Sequence, residues 1–280
     1  MSFKITCESS ADLSQEMYKK NNISVIPFTI TQGEKDFKDG TEITNEEMFA
    51  FFNENKQLPK TSAINMMDYL DFFKAENTED EGLIHICLSS KLSCTYNNAV
   101  QASKELKNVY VIDSQSLSSG IGLQVLYACQ LRDKGIPIAE AVEMIEKRRS
   151  LVRISFVVDT LTYLHKGGRC SALTMLGANL LGIKPSIVVS DGRMTVGKKY
   201  KGKINRILDK YILDTLEENP NRDNSLCFIT YSSATDEMKK IAHDTLKNNA
   251  SFKKVKETTA GGTVATHCGP NTLGIIFYAE

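Results

Sequence analysis

Short apolar runs alternate with amphipathic stretches along this chain. Residues 3–7 read as a strand that runs into polar Glu8-Ser9-Ser10. Residues 23–30 are apolar and β-branched and predict a second strand. Thr44-Asn45-Glu46-Glu47 forms a capping box, in which the Thr hydroxyl and the Glu carboxylate three residues on satisfy free N–H groups. It predicts a helix to about Asn53. Residues 83–88 and 109–112 predict strands, each followed by a helix, over 92–106 and 118–132. Ile138, Ala141, Val142 and Ile145 share one face at helical spacing, and that helix should end at Glu146-Lys147-Arg148-Arg149. A domain boundary is expected near residue 150, dividing the chain into 1–150 and 151–280. Beyond it, residues 154–158, 185–189, 226–231 and 273–278 predict strands. Residues 204–216 and 238–246 predict helices. Alternating strands and helices define an α/β architecture.

Composition narrows the function. Lys+Arg and Asp+Glu number 34 each, so the formal charge is zero. A chain whose main task is gripping nucleic acid is usually net basic. No apolar run approaches the roughly 18 residues of a membrane span. The opening MSFKITCESS lacks the apolar core of a secretory signal. The seven cysteines are widely spaced and form no CxxC, so a zinc or iron–sulfur reading fails on spacing. They read as small buried thiols of a reducing cytosol.

Three strand-to-helix junctions in the first half are rich in hydroxyls: Ser9 and Ser10; Ser89, Ser90, Ser93 and Thr95; Ser114, Ser116, Ser118 and Ser119. Such junctions form the ligand crevice of open α/β sheets. Serine also caps helices, which accounts for any one of them. The run from Ser89 to Thr95 exceeds what one cap requires. No G-x-G-x-x-G is present, and Lys91 is the one cation, which disfavours a dinucleotide or polyphosphate. Hydroxyls suit a carboxylate or a neutral polar group.

Gly197-Lys198-Lys199-Tyr200-Lys201-Gly202-Lys203 has P-loop spacing, but Ile204 stands where a Mg²⁺-holding hydroxyl belongs. It reads instead as a basic surface turn, either a solvated face or a docking patch for an acidic partner. His165-Lys166-Gly167-Gly168-Arg169-Cys170-Ser171 reads either as an anion nest with Arg169 as its charge, or as a helix C-terminus with glycine at its end. His85, His165, His243 and His267 lack metal-ligand spacing. Cys94 and Cys268 qualify as nucleophiles only with a lowered thiol pKa.

Several of these segments together resemble the DegV family. Glu8-Ser9-Ser10-Ala11-Asp12-Leu13 is similar to its opening signature. Thr61-Ser62-Ala63-Ile64-Asn65, residues 88–96 and Val111-Ile112-Asp113-Ser114 are similar to the next three. Tyr163 to Arg169, Leu181-Gly182-Ile183-Lys184-Pro185 and His267-Cys268-Gly269-Pro270 complete a collinear series. The sequence departs from the family where Asp is usual at Cys7 or Glu8, and where Gly is common at Cys94.

The resemblance implies two α/β domains with a fatty acid between them, its tail buried and its carboxylate held by hydroxyls. It implies a bacterial, cytoplasmic, lipid-binding carrier without catalytic residues, cofactor or metal. Such a carrier serves a separate ATP-dependent fatty acid kinase, which makes acyl phosphate for phospholipid synthesis. Transient membrane contact is compatible with that role; nucleic acid is not a partner. By motif, Thr61 and Ser93 are the carboxylate ligands, and Arg169 and His267 border the head group. The competing readings are an acyl- or phosphoryl-transfer enzyme using His267 with Ser93 or Cys94, and a regulatory module with a structural lipid.

Overall fold

The computed structural model describes residues 3–77, 81–170 and 182–280. Ser171 and Leu181, which end and begin two of the motifs above, lie outside the described residues.

The first half runs β1 (Lys4–Glu8), α1 (Gln15–Lys20), β2 (Ile23–Ile26), β3 (Thr29–Gln32), β4 (Lys35–Lys38), α2 (Asn45–Asn55), β5 (Lys60–Ser62), α3 (Met66–Glu76), β6 (Leu83–Cys87), α4 (Thr95–Ser103), β7 (Val109–Asp113), α5 (Ser119–Asp133) and α6 (Ile138–Arg149). The second runs β8 (Val152–Val157), α7 (Thr162–Gly167), β9 (Ile183–Ser190), β10 (Arg193–Lys201), α8 (Ile204–Glu217), β11 (Arg222–Tyr231), α9 (Asp236–Asn249), β12 (Val255–Thr259), α10 (Gly262–Cys268) and β13 (Leu273–Ala279).

The fold is mixed α/β. Strands β2-β1-β6-β7 make a four-stranded sheet in which every pairing is parallel. Strands β10-β9-β8-β13-β11-β12 make a six-stranded sheet in which only the β11–β12 pairing is parallel. A small antiparallel sheet, β4-β3-β5, forms the third.

Helix α5 ties the two large sheets together. It touches β1 and β6 of one and β8 and β13 of the other. Every residue from Ser119 to Val125 is buried, so the helix packs on more than one side. Gly122 permits the approach, because a Cβ there would lie 2.7 Å from Leu13 and 2.9 Å from the Ala11 carbonyl oxygen.

The structure corrects several readings. Residues 23–30 are two strands, not one. Pro27 has no N–H for a ladder, so pairing stops at Ile26 and the chain enters another sheet at Thr29. The helix expected over 92–106 begins at Thr95, because the amides of Leu92 and Ser93 turn back onto the Ser89 carbonyl. The basic stretch at 197–201 is no turn. It is edge strand β10, with a bulge between Val196 and Lys199. Lysines on a sheet edge oppose unwanted strand addition, which accounts for their density here. Lys198 is moreover paired with Asp214 at 3.3 Å and Glu218 at 3.1 Å. Six of the seven cysteines are buried as expected, and Cys94 is exposed.

Candidate functional site

The site elements meet where the C-terminal end of the parallel sheet faces α10. The capping box holds α2 as expected, with Thr44 Oγ1 accepting from the Glu47 amide and Glu47 accepting from the Thr44 amide. Helix α10 then lies against α2, α7, β3 and β5.

A cavity of about 270 Å³ opens at this junction. Its polar lining includes Thr61 of β5, Ser93 of the β6–α4 turn, Arg169 just after α7, and Thr263 and His267 of α10. Phe28, Leu88, Leu92, Leu117, Met194 and Val264 supply apolar walls. Leu117, Val264 and Cys268 also line a small neighbouring cavity, which continues to Ile154, Phe156 and Ile276 against the six-stranded sheet. The lining therefore combines polar groups with apolar walls, and the apolar side continues into the neighbouring cavity. All four residues named from sequence share this one cavity.

His267 Nε2 lies 3.2 Å from Thr61 Oγ1. Burial, reinforced by the positive charge of Arg169, holds the imidazole pKa down to about 4. His267 is thus neutral at physiological pH and offers a hydrogen bond rather than a charge. The exposed guanidinium of Arg169 is the positive group of the lining. The helix C-terminus read at His165-Lys166-Gly167-Gly168 is present. Gly168 takes the left-handed conformation (φ 67°) and its amide returns to the Leu164 carbonyl. Gly167 has a separate task. A Cβ there would collide with His267 Nδ1, so glycine makes room for the imidazole.

Ser93 Oγ accepts from the Thr95 amide at 3.3 Å. Most other junction hydroxyls are consumed structurally. Ser10 donates to Glu8, Ser9 to Asp39, Ser89 to the Gly192 carbonyl, Ser90 to Asp113 and Ser118 to Asp12. Of the junction hydroxyls, Ser93 alone lines the cavity. The Ser89–Thr95 run is thus the junction that contributes a hydroxyl to the cavity.

Two features were not read from sequence. Thr263 is buried, faces the cavity and leaves its Oγ1 without a partner. Its spacing of four from His267 was the available signal. Glu8 is fully buried and accepts from Tyr69 (2.5 Å), Thr95 (2.9 Å), Ser10 (3.3 Å) and the Leu88 amide (2.6 Å). Burial raises its pKa, and those four donors oppose the rise. Through Thr95 and Leu88 it braces the turn that carries Ser93. Glu8, His85 and Cys87 bring ligand atoms within 4.8 Å of one another. Glu8 is already saturated with donors, and His85 is packed among Tyr69, Phe72 and Phe73. That trio reads as core.

No Ser–His pair assembles among the described residues: the hydroxyl in reach of His267 belongs to Thr61. Burial pushes the Cys268 thiol up to about 12, away from nucleophilic use at neutral pH.

Fold and cavity thus define a class, an α/β protein with a cavity whose lining is part polar and part apolar. The family model described as "Uncharacterised protein, DegV family" matches residues 2–280. A DegV domain-containing protein of Clostridium perfringens is 30% identical over 279 residues, covering 99% of this chain and 98% of that protein. A fatty-acid-binding DegV family protein of Thermus thermophilus superposes with a TM-score of 0.93 at 24% identity, covering all of both chains. A stearic-acid-binding protein of Eubacterium ventriosum gives a TM-score of 0.82 at 26% identity, covering 98% of each chain. The chain belongs to the DegV family.

Proposed function

We propose that this protein binds a long-chain fatty acid and presents its carboxylate to a separate ATP-dependent fatty acid kinase, acting as a non-catalytic carrier in the cytoplasm for phospholipid synthesis. The observation that carries the reading is the cavity's mixed lining: hydroxyls, a neutral imidazole and one guanidinium alongside apolar walls. The similarity to the stearic-acid-binding Eubacterium ventriosum protein supports it.

In this reading Thr61 and Ser93 hold the carboxylate, while Arg169 and His267 border it. A C16 tail has about fourteen methylenes, each worth about 0.8 kcal/mol on burial, so the gross gain is about 11 kcal/mol before association costs. The tail thus dominates affinity. The head group needs partners chiefly because an unpaired buried carboxylate is costly. A head group held by hydroxyls, without a buried ion pair, stays transferable. The bound ligand touches both halves of the chain, since the lining draws on residues either side of 150.

The test is a titration with palmitate, preceded by native mass spectrometry to detect carried lipid. Thr61→Ala and Ser93→Ala should each weaken binding by roughly 1–3 kcal/mol. Unchanged affinity in the double variant would remove these residues from the site. Acyl phosphate should form only when kinase and ATP are added. Turnover by the purified protein alone would favour an enzyme instead.

A further inference from the structure

A second concavity, of about 820 Å³, shares no lining residue with the cavity above. It lies between the turn after β1, the start of α2 and the β12–α10 connection. Asp12, Asp39, Glu42, Glu46, Glu47 and Glu257 line it, and no lining residue is basic.

Surface acids alone are ordinary. Asp39 is different. It is 2% exposed, and while Oδ2 accepts from Ser9 Oγ at 2.8 Å, Oδ1 is buried without a hydrogen-bond partner. Asp12 lies beside it, 5% exposed, accepting from Ser118 Oγ (2.5 Å) and the Gly261 amide (2.8 Å). A Cβ on Gly261 would stand 3.1 Å from Asp39 Oδ1 and 3.2 Å from Asp12 Oδ1. Glycine at 261 therefore keeps a methyl from crowding both carboxylate oxygens where they meet the groove wall. A buried carboxylate oxygen without a donor is costly, and Asp39 is among the residues that line the groove.

We infer that this groove receives a Lys or Arg side chain from a basic segment of a partner protein, its charged end seated at Asp12 and Asp39. A basic side chain needs only one or two carboxylates for charge-assisted hydrogen bonds. A hard divalent cation takes six or more oxygen ligands. Among the described residues, no third His, Cys, Asp or Glu converges with Asp12 and Asp39. The groove's volume and the acids along its rim suit an extended cationic segment.

The test is calorimetric titration of the full chain with a blocked tetra-arginine peptide at low salt. Saturable binding that weakens as salt rises is expected. Asp39→Asn should weaken it about ten-fold or more. Gly261→Ala should weaken it as much, although it alters no charge, because its methyl covers both carboxylates. If Asp39→Asn does not fold, Glu46→Gln on the exposed rim should still weaken binding about two- to five-fold. Palmitate binding should be unchanged in all three variants. Absence of peptide binding at low salt would overturn the proposal, as would full binding by Gly261→Ala. Displacement of the peptide by CaCl₂ or MgCl₂, at concentrations too low for screening, would overturn it in favour of a metal site.

Discussion

Burial and the charge of Arg169 act on His267 in the same direction, holding its pKa near 4. An unfolded imidazole takes its proton near 6.5. Between these values the unfolded chain binds more protons than the native one, so acidification through that window removes stability, by roughly 3 kcal/mol when complete. His85, with its pKa lowered to about 3 by burial, acts with the same sign. Glu8 and Asp12, whose pKa values burial raises, act with the opposite sign. The contribution of His267 is therefore read as a difference. His267→Asn should lose less stability than the parent between pH 6.5 and 4, measured as urea midpoints. Parallel curves would show that the native imidazole protonates normally. Thr61, Ser93, Arg169 and His267 were nameable in advance because each sits in a recognisable motif. Thr263 was not, since an unpartnered buried hydroxyl is a property of three dimensions. Glu8 appeared in the sequence as a departure from the usual Asp, without any hint of its four donors.

Elements with strong local signals were legible. The capping box announced α2, and the apolar stripes of α8 and α9 follow the helical period. The small β4-β3-β5 sheet was not, because strands of three or four residues rich in Lys, Thr and Asp carry no periodicity. Helix α10 escaped for a related reason: Gly, Thr and Val are weak helix formers, and tertiary packing makes the helix. Helix α5 shows where propensity and packing disagree. Gly122→Ala should gain up to about 1 kcal/mol of helix propensity. It also places a methyl 2.9 Å from the Ala11 carbonyl oxygen, which is backbone and yields little. Overpacking of this kind costs about 1–3 kcal/mol, so the net change should be destabilising. Chemical denaturation decides it: a variant at least as stable as the parent would mean that α5 can move off the turn after β1.

At the scale of the molecule, the boundary proposed near residue 150 falls between the strands of different sheets. The strands of the parallel and small sheets lie before it, and those of the six-stranded sheet after it. Sheets are not folding units, however. One apolar core contains Ile5, Ile84 and Ile121 together with Ile154, Phe228 and Ile276. Buried Asn45 donates to the carbonyls of Ser232 (2.7 Å) and Ala260 (2.8 Å), and Ser119, Thr230 and Thr258 share a buried hydroxyl cluster across the same divide. Separating the halves would strip α5 of one sheet and leave these groups unpaired. The two proposed domains, 1–150 and 151–280, should therefore unfold together. Calorimetry of the ligand-stripped protein should give one transition whose calorimetric and van't Hoff enthalpies agree. Palmitate at 100 times its Kd should stabilise that single transition by about 2.7 kcal/mol. Because the cavity proposed to hold the ligand is lined from both halves, palmitate should not split the transition. Two resolved transitions, with palmitate shifting only one, would instead show halves that fold alone and a ligand held by one of them.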